Sequence, residues 1–164
     1  MQKITPFLWF DSEAEQAAEY YVSLFPNSSI TSVSRYPEGG PRPAGEAFGV
    51  EFVLDGTEFR ALNAGPGHPF TDAISLFISV ETQEEVDRLW DALIADGGAP
   101  SRCGWLTDRW GLSWQITPRA LIAAINDPDR TAAKRAFDAM MTMGKIDIAA
   151  IEAARRGISP TPAL

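Results

Sequence analysis

Hydrophobic and polar positions along this chain switch between a period of two and a period of 3.6, and each switch marks an element boundary. Ile4–Phe10 (ITPFLWF) is dense in β-branched and aromatic residues and predicts a buried strand. Alternation within it puts Phe7 and Trp9 on one face and Leu8 and Phe10 on the other. Asp11-Ser12-Glu13 then signals a helix start, with Asp11 or Ser12 as the N-cap. Ala14, Ala17, Ala18, Tyr21, Val22 and Phe25 form an apolar stripe at helical spacing, running to about Leu24 and stopped by Pro26-Asn27. Strands are predicted over Ser29–Arg35, Ala47–Leu54 and Thr57–Asn63. The last two are joined by Asp55-Gly56, a type I′ hairpin signal. The stretch Pro37–Gly45 between them holds too many prolines and glycines for regular structure.

The same pattern then starts again. Ile74–Val80 predicts a strand, and Thr82 caps a helix over Gln83–Ala95 with Val86, Leu89, Trp90, Leu93 and Ile94 facing inward. Asp96-Gly97-Gly98 stops it. Short strands are expected around Pro100–Cys103 and Trp105–Thr107, a turn at Asp108–Gly111, and a last strand at Leu112–Thr117. In that strand Ser113 and Gln115 share one face and Leu112, Trp114 and Ile116 the other, so Trp114 belongs to the core. The order is therefore β-α-β-β-β, twice, at an offset of about 70 residues, a repeat of pattern rather than of residues. Three helices follow: Arg119–Ile125, Arg130–Met143 with Ala133, Phe137, Met140 and Met141 on one face, and Ile148–Arg155 capped by Asp147 and ended by Gly157. Ser159-Pro160-Thr161-Pro162 predicts a frayed tail.

Composition narrows the function classes. At 164 residues the chain fits one domain or two fused modules, and its 45% hydrophobic content with five Trp can fill a core. Fourteen Lys and Arg against 22 Asp and Glu give a net charge of −8, with no basic stripe for nucleic acid. No apolar run reaches the ~18–20 residues of a membrane helix. Met1-Gln2-Lys3 leads straight into the first strand, so no signal peptide is expected and the expected location is the cytoplasm. One cysteine, Cys103, cannot build a disulfide framework or a Cys-rich zinc site.

Several stretches carry a family resemblance: ITPFLWFD (4–11), AEYYVSLFPNS (18–28), ALNAGP (61–66), FTDAIS (70–75), QEEVDRLWDAL (83–93), CGWLTDRWGLSWQITP (103–118) and KIDIAAIEAARRG (145–157). They cover nearly the whole chain, and the run from Cys103 to Pro118 is the most specific. With two βαβββ modules, the chain resembles the vicinal oxygen chelate superfamily of glyoxalases, extradiol dioxygenases and bleomycin-resistance proteins. Within it, the chain is similar to the PhnB-like branch labelled 3-demethylubiquinone-9 3-methyltransferase domain. The resemblance implies an α+β fold with an eight-stranded curled sheet around a cleft, usually in a homodimer. It implies a single glyoxalase-like domain: module one at about 1–66, module two at about 67–118, a helical extension at about 119–157 and a tail at 158–164. The methyltransferase label does not carry over on the residues. S-adenosylmethionine enzymes use a parallel α/β sheet with a Gly-rich first turn, and no Gly-x-Gly turn joins a strand to a helix here.

Metal-using members of the superfamily bind through His or Glu at two strand positions per module. This chain offers Ile4, Thr5 or Pro6, then Ala61, Leu62 or Asn63, then Ser75, and finally Gln115. None is a strong ligand, so neither a metal nor another cofactor is expected. The function expected is capture of a small molecule in an apolar cleft. Phe7, Trp9, Phe70 and Trp105 would hold its apolar body, Cys103 would line the cleft, and Asn63, Ser75 and Gln115 would orient polar groups. Asn63 reads equally as a strand-end turn former, and Cys103 as a buried structural thiol or, with no evident partner, a nucleophile. Glu51 and Glu58 read as solvent-facing or cross-strand charges. The alternative function is a lyase or isomerase that uses a non-standard metal or His68 as a base. His68, alone in Gly-His-Pro with Asp72 and Asp108 as conceivable partners, reads otherwise as a plain loop histidine.

Overall fold

The structure, a computed structural model, describes residues 2–158. Apart from Ile158, the predicted tail lies outside the described residues. The chain divides into two compact units between Pro69 and Phe70.

In the first unit, β1 (Phe7–Phe10), α1 (Ala14–Leu24), β2 (Ser29–Arg35), β3 (Ala47–Leu54) and β4 (Thr57–Asn63) follow the predicted order. The strands form one mixed sheet ordered β1-β4-β3-β2, with β1 parallel to β4 and the other pairs antiparallel. Asp55 and Gly56 both take positive φ, 42° and 79°, as the predicted hairpin turn requires. Burial follows the period of two: Leu8, Phe10, Val50, Phe52, Phe59 and Ala61 face Ala14, Ala17, Ala18 and Tyr21 of α1, all with under 8% exposure. The Phe52 and Phe59 rings stack at 5.4 Å in this layer.

Two details of this unit differ from the sequence reading. The first strand begins at Phe7, not Ile4, which is 87% exposed. Pro6 offers no N–H to the ladder, so pairing opens with its carbonyl accepting from Arg60 N at 2.9 Å. Neither Asp11 nor Ser12 caps α1, because the helix starts later, at Ala14, and Glu13 in the cap position makes no side-chain cap bond.

The second unit repeats the plan. Strands β5 (Ser75–Val80), β6 (Ala99–Pro100), β7 (Trp105–Thr107) and β8 (Ser113–Pro118) form a sheet ordered β5-β8-β7-β6, with β5 parallel to β8. Helix α2 (Gln83–Ile94) carries a full capping box: Thr82 accepts from Glu85 N, and the Glu85 carboxylate accepts from Thr82 N. Val86, Leu89, Trp90 and Leu93 bury against Leu106, Trp114 and Ile116, so Trp114 is core as its alternation required. Gly98 lets this layer close, since a Cβ there would stand 2.7 Å from Leu93 O and 2.8 Å from Thr107 O. The eight strands thus lie in two open four-stranded sheets with helices, an α+β fold.

Helices α3 (Arg119–Ile125), α4 (Arg130–Met140) and α5 (Ile148–Arg156) pack in this unit around Leu121, Ala124, Ala136, Ile146 and Ile151. Helix α4 stops three residues short of the predicted Met143. Thr142 N and Met143 N turn back to carbonyls three residues earlier, which frees Met143 O to accept from Cys103 N at 2.8 Å. The buried face of α4 is Ala132, Ala133 and Ala136, whereas Phe137 and Met141 of the predicted face are about half exposed. Small side chains let the helices approach closely, and the larger pair is left outside. Asp127 joins α3 to α5: it accepts from Asp129 N and from Arg155 Nε, which together hold its carboxyl below the usual carboxylate range.

Asp108, 3% exposed, ties the turn before β8 together. Its Oδ1 accepts from Trp110 N at 2.9 Å and Leu112 N at 3.1 Å, and its Oδ2 accepts from Trp114 Nε1 at 2.9 Å. Replacing it by Ala leaves buried donors without acceptors. Asp108→Ala should cost about 3 kcal/mol or more, read as a lowered urea midpoint at unchanged m-value; an unchanged midpoint would contradict this role.

Candidate functional site

The helix-averted face of the second sheet gathers most of the expected polar groups. On β8 alternation sends Trp114 and Ile116 into the core and turns Ser113 and Gln115 to the other face. Gln115 Nε2 donates to Ser75 Oγ at 2.8 Å, across the parallel β5–β8 pair. Trp105 sits opposite Gln115, and Thr107 opposite Ser113, in the β7–β8 register. Ser75, Trp105 and Gln115 are therefore neighbours on this face.

Beside them lies a pocket of about 300 Å³, lined by Asp72, Arg102, Cys103, Trp105, Thr107 and Ser113 among others. Cys103 reaches it from a left-handed turn (φ 57°), where Gly104 follows at φ 84° and a Cβ on Gly104 would stand 2.8 Å from Ile116 O. The turn is held by Cys103 N donating to Met143 O and Gly104 N to Gly144 O, both at 2.8 Å. Cys103 is half-buried, and its Sγ lies 3.7 Å from Met141 Sδ, a weak thiol–thioether contact. Phe70, half-buried at the start of this unit, is not among the residues lining the pocket.

In the first unit Phe7 is 63% exposed and Trp9 half-buried on the face of β1 turned away from α1. Trp9 Nε1 donates to Gly65 O at 2.9 Å, and the exposed His68 ring tilts over the indole at 4.3 Å between centroids. The contact orders the loop after β4 on an aromatic platform. Among the described residues no carboxylate bonds to the imidazole. Of its conceivable partners, Asp108 is enclosed by the donors described above, and Asp72 lines the pocket of the second unit. No group of three or more His, Cys, Asp or Glu side chains that could hold a metal ion occurs among the described residues. Glu51 pairs across the ladder with Arg60 at 3.0 Å, a cross-strand charge as read.

Asn63 does not join the Trp9 face. It is 4% exposed on the helix side of β4, and its amide bonds to backbone at both ends: Oδ1 accepts from Ala14 N at 2.8 Å and Nδ2 donates to Ala47 O at 3.0 Å. Its own carbonyl accepts from Tyr36 Oη at 2.6 Å. Asn63 thus supplies the N-terminal cap that α1 lacks locally, with its amide turned to the backbone of α1 and β3 rather than to the Trp9 face.

Arg102, Thr107 and Ser113 are among the pocket residues that the sequence did not single out. Alternation had placed Ser113 beside Gln115, and the register adds Thr107, so a cross-strand reading could have found both. Arg102 has no sequence signal, because the left-handed turn at Cys103 brings it to the pocket.

Asn63→Leu should lower stability by about 2–4 kcal/mol through the orphaned Ala14 N–H and Ala47 carbonyl. Ligand affinity of the folded fraction should stay unchanged, as measured by denaturation and titration on the same preparation.

Residues 2–117 match the family described as 3-demethylubiquinone-9 3-methyltransferase. A PhnB protein from Bacillus cereus is 41% identical, over 71% of this chain and 99% of its own, with a TM-score of 0.66. The crystal structure of protein PA1353 from Pseudomonas aeruginosa, 20% identical over 72% of this chain and 98% of its own, has a TM-score of 0.60 and shares the fold. A glyoxalase/bleomycin resistance protein from Albidiferax ferrireducens T118 is 15% identical over 72% of this chain and 99% of its own, with a TM-score of 0.47. None of the curated proteins matches. Helices α3 to α5 lie beyond the family match.

Proposed function

The chain belongs to the 3-demethylubiquinone-9 3-methyltransferase family, the PhnB-like branch of the vicinal oxygen chelate superfamily, and from that premise we propose that it is a small-molecule binding protein. The observation that carries this reading is the Trp105–Gln115–Ser75 group beside a pocket of about 300 Å³. An indole offers an apolar platform. The Gln115 amide is held by Ser75 through one N–H, which leaves its carbonyl oxygen and second N–H for a ligand. A mostly apolar concavity with a few aligned polar groups suits binding. The family name describes methyl transfer, but each sheet here is mixed, with a single parallel pair, and lacks the Gly-rich strand-to-helix turn that S-adenosylmethionine enzymes use.

The test is a thermal-shift and fluorescence screen of small aromatic compounds. Binders should lose about tenfold in affinity on Trp105→Ala and on Gln115→Leu. No binder in the screen, or binders indifferent to both substitutions, would overturn the reading.

The same reading includes a homodimer in the cytoplasm. Phe7 on β1 and Phe77 on β5 occupy matching places in the repeat and are 63% and 55% exposed, so each unit carries an exposed aromatic that a second copy would cover. No described helix is long and apolar enough to cross a membrane. Sedimentation should give twice the chain mass at micromolar concentration, falling to the chain mass for the Phe7→Asp/Phe77→Asp double variant. A wild-type mass of one chain would refute the dimer.

A further inference from the structure

We propose that the pocket of the second unit takes a small zwitterion, an aromatic or apolar body that carries one carboxylate and one ammonium group. This rests on the binding reading above and names its ligand class.

Ser113 provides the first observation. It lines the pocket at 1% exposure, and its Oγ has no hydrogen-bond partner among the described residues. A buried hydroxyl without a partner costs free energy, and nearly all such groups in folded proteins are satisfied. The neighbouring demands are already met: Asp108 is taken up by Trp110, Leu112 and Trp114, and Gln115 turns to Ser75. The Oγ is closed to water in the ligand-free chain, so a polar ligand atom in the pocket relieves it once the Ser113 side chain turns toward that atom.

Charge provides the second. Arg102 and Asp72 line the same pocket, and neither side chain is in an ion pair or hydrogen bond among the described residues. Both are exposed, and they differ from pairs such as Arg35 with Glu15 or Lys145 with Asp87 in lining one pocket without bridging. Here an unpaired cation and an unpaired anion share one concavity without bridging each other. A ligand with both charges engages both, its carboxylate on the Arg102 guanidinium fork and its ammonium on Asp72. A singly charged ligand leaves one of them unused.

Size and surface provide the third. The volume is at the lower end of ligand cavities, about 300–1,000 Å³, which fits an amino-acid-sized molecule. Trp105 and Cys103 supply the apolar wall for its body.

The experiment is calorimetric titration of the full chain with phenylalanine, with phenethylamine and with 3-phenylpropionate, the last two each lacking one charge. Phenylalanine should bind at least about tenfold tighter than either. Arg102→Gln should bring it down to the phenethylamine level, and Asp72→Asn to the 3-phenylpropionate level. Ser113→Ala should weaken phenylalanine about tenfold while raising the melting temperature of the ligand-free protein by about 2–4 °C, since it removes an unsatisfied group. A purely structural serine would lower that temperature instead. Equal binding of all three probes, with Trp105 fluorescence still quenched, would defeat the zwitterion inference and leave the binding reading standing. So would failure of all three while other aromatics bind in a Trp105-dependent way. Failure of every aromatic compound would defeat both.

Discussion

A buried carboxylate at the mouth of the last hairpin governs how the second unit presents its site. Asp108 gathers two backbone N–H groups and the Trp114 indole into one turn. With Trp114 pinned inward, the period of two leaves Ser113 and Gln115 no choice of face. A slip of one residue in β8 would bury Gln115 and expose the largest core side chain. The polar pair of the site and the apolar layer under it are thus two sides of one register, held by a residue that touches no ligand. Gly111, at φ 85°, closes the same turn, with its N–H donating to Asp108 O.

The C-terminal helices bear on the same site from the other direction. They lie outside the part of the chain that matches the family. Yet the loop after α4 supplies the two carbonyls, Met143 O and Gly144 O, that hold Cys103 and Gly104 in their left-handed turn. That turn brings Arg102 to the pocket. Gln83 at the head of α2 clamps the far end of the loop, donating to Ile146 O and accepting from Ile148 N. The extension therefore packs its own small core and also shapes the pocket wall. Gly104 is needed for backbone reasons as well as steric ones, because its φ of 84° suits glycine, and its carbonyl accepts from Ile116 N on β8.

The two units treat equivalent positions differently. In the first, the open face carries an exposed Phe7, a Trp9 already hydrogen-bonded to Gly65, and charges that cancel across the ladder as Glu51 and Arg60. In the second, the pocket holds a hydroxyl and two opposite charges with no side-chain partner among the described residues. Unspent polar capacity is what a binding site holds in reserve, so the second unit is the better candidate despite the similar frames. Of the three polar residues expected in the cleft, Ser75 and Gln115 are bonded to each other, and Asn63 is bonded to backbone in the first unit.

Element order, strand faces and helix faces were legible in the chain itself. Periods of two and 3.6 are local properties, and burial then followed them at Leu8, Phe10, Trp114 and along α2. The Asp55-Gly56 turn and the Thr82–Glu85 box were equally readable, because their partners lie within four residues. Where partners are distant the sequence was silent or misleading. Asp11 and Ser12 resemble caps, but Asn63, 49 residues on, holds Ala14 N, because parallel pairing of β1 with β4 brings it to the end of the helix. Of the stripe predicted on α4, Ala133 is buried and Met140 packs against the helical core, but Phe137 and Met141 stay about half exposed, and close helix packing favoured Ala132 and Ala136 instead. Arg102 and the unpartnered Ser113 became site residues only in the tertiary structure. Whether a polar atom is satisfied depends on every neighbour in space, and no periodicity along the chain encodes that.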